Sequence, residues 1–260
     1  MVDVFGLSAA QFETFVLVFV RVSAMLFLFP IFSAPQIPVL ARLGLSALLS
    51  VILFKLVPVL PVSPGLYELG LGIICQIVLG TIVGFVASLV FIGIQFAGEL
   101  IDLQIGFAVA NVLNPTTQQQ ITIIGEFELA IATLVFLATN SHYFLLQGIA
   151  GSFNLVPLPL INLDPSVAGN VVLFVSQAFL VVFKIAAPIS VALFLTNVAL
   201  AFAARVAPQM NVFVIGLPLQ IGVGLIMMAV AIPLLGSVGP ELFQNMAAQM
   251  DAVMRGLRAS

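Results

Sequence analysis

Charge is what this chain has least of. Only 7% of its 260 residues are Asp, Glu, Lys or Arg, where a soluble domain carries roughly 25%. Against that, 62% are hydrophobic and mean hydropathy is +1.30. So few charges cannot clothe a globular surface in water, so lipid or other apolar protein must take the place of solvent around much of the chain. The seven basic residues are scattered. That excludes the concentrated basic footprint that nucleic acid requires. The one cysteine, Cys75, can form neither an intrachain disulfide nor a metal site, and reads as a small residue of an apolar run. The one histidine, His142, follows Ser141, but sequence neighbours point in different directions on a helix. There is no second histidine, no HExxH and no Gly-rich loop ending in Lys-Ser/Thr. Hydrolytic, metal-dependent and nucleotide-driven catalysis therefore lack their residues, and no cofactor is implied. The first residues, MVDVFGLSAAQFETF, are acidic where a secretory signal is basic, so no cleaved signal is expected.

What is present is apolar helix. A span needs about 20 mostly apolar residues. Six candidates satisfy this, at about 12–29, 39–57, 69–97, 127–149, 171–204 and 212–236. The runs are continuous rather than alternating, which argues against membrane strands. The expectation is an all-α polytopic membrane protein forming a single domain over 1–260, without a soluble part. Residues 171–204 are too long for a simple span and are interrupted by Lys184 and Pro188. They form either one kinked helix or two helices packed as a hairpin. Segments 30–38, 58–65 and 157–165, each with three prolines, read as stiff connectors. Basic residues do not fix an orientation: one places Arg42 and Arg205 inside, the other Lys55, Arg255 and Arg258.

Polar residues are rare enough to weigh one by one. Arg21 falls within the first span, where facing lipid costs about 2.5–3.5 kcal/mol. It should meet a partner helix, a carboxylate or carbonyls. Lys184 poses the same problem. Both read as assembly or helix-pairing residues, with ion conduction the sharper alternative. Gly80, Gly84 and Ser88 recur every four residues and would let a helix approach closely. The most informative stretch is GELIDLQIGFAVANVLNPTTQQQ, residues 98–120. Glu99 and Asp102 share a helix face, and Gly106 and Ala110 offer small residues near it. Asn111, Asn114, Pro115, Gln118, Gln119 and Gln120 then form a polar run that cannot face lipid. It reads either as an ordinary exposed loop or as a loop lining or closing a pathway.

Three segments carry a family resemblance. ARVAPQMNVFVIGLP, 204–218, has Arg205 closing a helix, Pro208 turning the chain, and Gln209 and Asn211 supplying partners at the turn. RVSAMLFLFPIFSAPQIPVLARLGLSALLS, 21–50, contains Arg21 and Arg42, and GELIDLQIGFAVANVLNP spans 98–115. Together they resemble the FliR family of type III export-gate membrane proteins, in order and over nearly the whole chain. The resemblance implies a non-catalytic subunit of the flagellar export gate in the bacterial inner membrane, at the flagellar basal body. Its expected partners are several copies each of FliP and FliQ, with FlhB and FlhA, membrane lipid and unfolded export substrates. It also implies helices stacked as hairpins, partly above the membrane plane. The family's central plug maps onto about 106–120, with Phe107, Asn111 and Asn114 as candidate lumen-facing residues. An injectisome counterpart and a stand-alone secondary transporter are the alternatives.

Overall fold

The computed structural model describes residues 8–60, 65–107, 122–159, 161, 164–209 and 211–258. The protein is all-α. Among the described residues the helices are α1 (Ala9–Leu28), α2 (Pro30–Ser33), α3 (Val39–Phe54), α4 (Leu66–Ile105), α5 (Ile123–Ala138), α6 (His142–Leu155), α7 (Pro165–Val206) and α8 (Val212–Gly256). Four of these, α1, α4, α7 and α8, are long and apolar enough to cross a membrane. The pair α5 and α6, bent by 76°, is a possible fifth. The chain is thus a polytopic membrane protein.

Local chemistry sets several of the boundaries. Ser8 and Gln11 form a reciprocal capping box at the start of α1, satisfying two otherwise orphan N–H groups. Asp164 begins α7, its carboxylate accepting the Ser166 N–H at 2.7 Å. The Ser166 hydrogen bonds hold that carboxyl below the usual carboxylate range. The expected helix over 127–149 is two helices. Asn140 turns the chain between them at φ 57°, a conformation asparagine tolerates better than most residues. The 171–204 run is one continuous helix with Pro188 inside it, not a hairpin. The last helix continues well past 236, through Pro240 to Gly256.

Contacts divide the chain into two compact units, residues 1–89, 141–175 and 243–260, and residues 90–140 and 176–242. In the first, α1 lies directly on α4. A Cβ on Gly80 would stand 2.6 Å from the Ala24 Cβ and 2.8 Å from the Arg21 carbonyl oxygen, and one on Gly84 would stand 2.8 Å from the Met25 oxygen. The small-residue face expected at Gly80 and Gly84 is therefore a backbone-to-helix contact, with Leu17, Val18, Val22 and Met25 filling the buried side of α1. In the second unit α4 and α5 touch backbone to backbone, a Cβ on Gly98 falling 2.6 Å from the Gly125 Cα. Further along, Phe91 and Phe136 meet edge to face at 5.3 Å.

Candidate functional site

Arg21 is completely buried, yet no carboxylate meets it among the described residues. Its Nε–H donates to Gln76 Oε1 at 2.6 Å, and its Nη1 donates to the carbonyls of Ser152 and Val156, each at 2.9 Å. The guanidinium lies over the Phe153 ring, 4.3 Å from its centroid. Ser152 and Val156 are at the C-terminal end of α6, where orphan carbonyls and the helix dipole favour a cation. Gln76 in turn donates from Nε2 to the Pro159 carbonyl at 2.6 Å. The expectation that Arg21 meets carbonyls holds. The partners themselves, Gln76, Ser152 and Phe153, are the part that reading along the sequence missed. The one available signal was Gln76, one of two amides, with Gln95, in a charge-free run.

Around the central segment, Asp102 is buried and holds two chain ends at once. Its backbone carbonyl accepts the N–H groups of Gly106 (3.1 Å) and Phe107 (3.2 Å). Gly106 has φ +95°, so α4 closes in a Schellman-type cap that glycine adopts without steric cost. Meanwhile the Asp102 carboxylate accepts the Ile124 N–H, at 3.2 Å to Oδ1 and 3.0 Å to Oδ2. Thr122, the residue preceding α5, makes no side-chain cap. Asp102 therefore caps α5 from another helix. The chain leaves α4 and enters α5 at the same residue, held by its backbone carbonyl on the way out and its carboxylate on the way in.

Glu99 sits half-buried beside this neck, and Gln95 donates to Glu126 Oε1 at 3.3 Å across it. Glu128 is 2% exposed, and its Oε2 has no hydrogen-bond partner. Its burial was not foreseen. Phe107 is half-buried. Ala110, Asn111, Asn114, Pro115, Gln118, Gln119 and Gln120 lie outside the described residues.

The remaining expected positions are dispersed. Arg42 donates to the Ala34 carbonyl at 2.6 Å and lies 5.9 Å from the Phe27 ring centroid. It braces the turn before its own helix. Arg205, Pro208, Gln209 and Asn211 are exposed around the α7–α8 turn, where the Asn211 carbonyl accepts the Val214 N–H at 3.0 Å. Lys184 is exposed in the middle of α7. His142 is the first residue of α6, its ring 4.4 Å from that of Tyr143. Among the described residues no group of three His, Cys, Asp or Glu side chains could hold a metal ion.

A buried arginine on helix-end carbonyls and a carboxylate used as a helix cap are structural devices. The family model of bacterial export proteins, family 1, matches residues 12–246. The chain belongs to this family. It is 34% identical over 239 residues to flagellar biosynthetic protein FliR of Bacillus subtilis, covering 89% of this chain and 91% of that one. FliR of Aquifex aeolicus is 32% identical, with 89% and 90% covered. Yop proteins translocation protein T of Yersinia pestis is 29% identical, with 84% and 85% covered. These relatives are matched along nearly their whole length, so the comparison concerns the entire apolar architecture and not one segment.

Proposed function

We propose that this protein is a non-catalytic core subunit of the flagellar type III protein export gate. In this reading it forms, with FliP and FliQ, the channel through which unfolded flagellar subunits cross the bacterial inner membrane at the basal body. FlhB and FlhA are its neighbours. The observation that carries the reading is family membership over residues 12–246, together with identities of 34% and 32% to flagellar relatives. The Yersinia relative, at 29%, supports an injectisome counterpart as the second reading. A stand-alone carrier would be expected to place interrupted helices at matching positions of two successive halves. Here each compact unit draws on separated stretches of the chain.

Within the gate, the segment 106–120 is the plug that occludes the channel at rest. Supporting this is the neck: Gly106 releases the chain from α4, and Asp102 fixes both the point of departure and the point of return. Asn and Gln contacts worth about 0.5–1.5 kcal/mol each suit a closure that must break cheaply.

Two measurements test this. Co-expression with FliP and FliQ of the same genome, followed by native mass spectrometry, should give a defined complex with this chain in the smallest copy number. A monodisperse lone chain that ignores both would refute it. Deleting residues 110–118 should raise ion leakage across the membrane, and an unchanged leak would remove the plug assignment.

A further inference from the structure

We infer that the outward face of α7 around Lys184 is an interface for an apolar helix of another subunit, one that carries a carboxylate opposite the Lys184 ammonium.

The first observation is length. Large apolar side chains are exposed on the Lys184 face of α7, from Leu173 (51%) through Leu180 (58%), Val191 (58%) and Leu195 (60%) to Phe202 (64%). At 1.5 Å per residue that stripe is about 44 Å long. A hydrocarbon core of about 30 Å accommodates about 39 Å of helix even at the steep tilt of about 40°. Lipid alone therefore cannot cover the stripe, and water is a poor solvent for it.

The second observation is the charge at its centre. Lys184 is the one charged residue of α7 before Arg205. It is exposed and meets no acid among the described residues. If the bilayer straddles the middle of α7, the ammonium is at the midplane, beyond reach of a lipid phosphate, and facing lipid is unfavourable. If the bilayer covers one half of α7, the other half of the apolar stripe lies outside it. Both placements call for protein on this face.

The third is shape. Beside Lys184 a groove of about 260 Å³ opens between α7 and α8, lined by Val181, Lys184 and Ile185 on one side and Ala231, Leu235 and Leu242 on the other. Apolar walls with a single cation at the edge fit a large apolar side chain flanked by a carboxylate on the incoming helix. Such a pair, desolvated, fixes register along two otherwise featureless apolar surfaces.

The identity of the other subunit rests on the export-gate reading. In the test, a photo-cross-linking amino acid replaces Leu180 or Val191, exposed residues one and two turns from Lys184 on the same face, in the full chain co-expressed with FliP and FliQ. The expected adduct is to an apolar helix of another subunit containing Asp or Glu. Lys184→Glu should lower complex yield at least about tenfold, and exchanging the partner's acid for Lys should restore it to within about twofold. If Lys184→Glu destabilises the chain itself, Lys184→Met and the cross-links decide. Adducts to lipid alone in an assembled complex would overturn this interface and leave the gate reading standing. So would wild-type yield of Lys184→Glu. A monodisperse lone chain that cross-links only to lipid would overturn both.

Discussion

Replacing Arg21 by methionine tests whether the first unit is held by a hydrogen-bonded fork or by charge as such. Methionine keeps much of the aliphatic length and removes three charge-assisted hydrogen bonds, to Gln76, Ser152 and Val156. The Ser152 carbonyl keeps the Val156 N–H at 3.0 Å, so the groups left short are Gln76 Oε1 and the Val156 carbonyl. Leaving each unsatisfied costs about 1–3 kcal/mol. Against this, a buried guanidinium whose Nη2 has no partner no longer has to be desolvated, a relief of several kcal/mol. The two terms largely offset, so the net change should stay within about 3 kcal/mol, or at most roughly 12 °C in midpoint for a chain of this size. Arg21→Lys should be worse. It keeps a buried charge, and one more strongly hydrated, but cannot reach Gln76 and both carbonyls together or stack flat on Phe153. The assay is thermal unfolding of the purified complex in detergent, wild type beside both variants. A tolerated lysine beside a collapsed methionine would refute the argument, because charge, and hence an acid from another subunit, would then be the requirement.

Two further outcomes follow from the same contacts. Gly80→Ala and Gly84→Ala should each destabilise by about 1–3 kcal/mol, because the new methyl group meets the α1 backbone at 2.8 Å. Gly44→Ala, with nothing within 4 Å and inside α3, should instead be neutral or stabilising by up to about 1 kcal/mol in the same melting experiment. Asp102→Ala should speed amide exchange at Ile124 about tenfold or more, as expected for losing a hydrogen bond to a charged group. Adding Thr122→Asp should restore the α5 cap without restoring the tie to α4. Unchanged exchange in Asp102→Ala would show that the carboxylate is not the cap.

Much of this was open to reading along the chain because apolar surplus and glycine spacing are local properties. Arg21 called for a partner helix, a carboxylate or carbonyls, and Gly80 and Gly84 allowed a close neighbour; the fold supplies carbonyls to the first and α1 to the others. Helix ends were harder. Pro240 follows the expected end of the last helix at about 236, yet α8 passes through it, since one proline removes one hydrogen bond while packing of the rest can hold the helix. The break at Asn140 was marked only by the short polar run Thr139-Asn140-Ser141, easily taken for an interfacial turn within one span. The Arg21 partners lie 55 and 131 or more residues away, a separation no periodicity carries. The Asp102 cap was hidden for a different reason. Its spacing from Glu99 suggested a shared acidic face, whereas burial and the Ile124 N–H set its role.

The unequal burial of the long helices explains why the chain is a component and not a self-contained bundle. In α4, 67% of the most apolar window is buried, so glycines and apolar side chains there are spent on internal packing. In α7 and α8 the figures are 28% and 17%. These two helices contribute the greatest apolar lengths and have the least of their surface covered. If membrane thickness limited the design, helices of about 20 residues would suffice, and the additional turns of α7 and α8 would only enlarge an uncovered face. Their length is useful if other subunits pack alongside them over a distance greater than the hydrocarbon core. The scarcity of charge then has a second consequence: with so few polar residues to set register, the isolated cation at Lys184 is where specificity between neighbouring helices can be encoded.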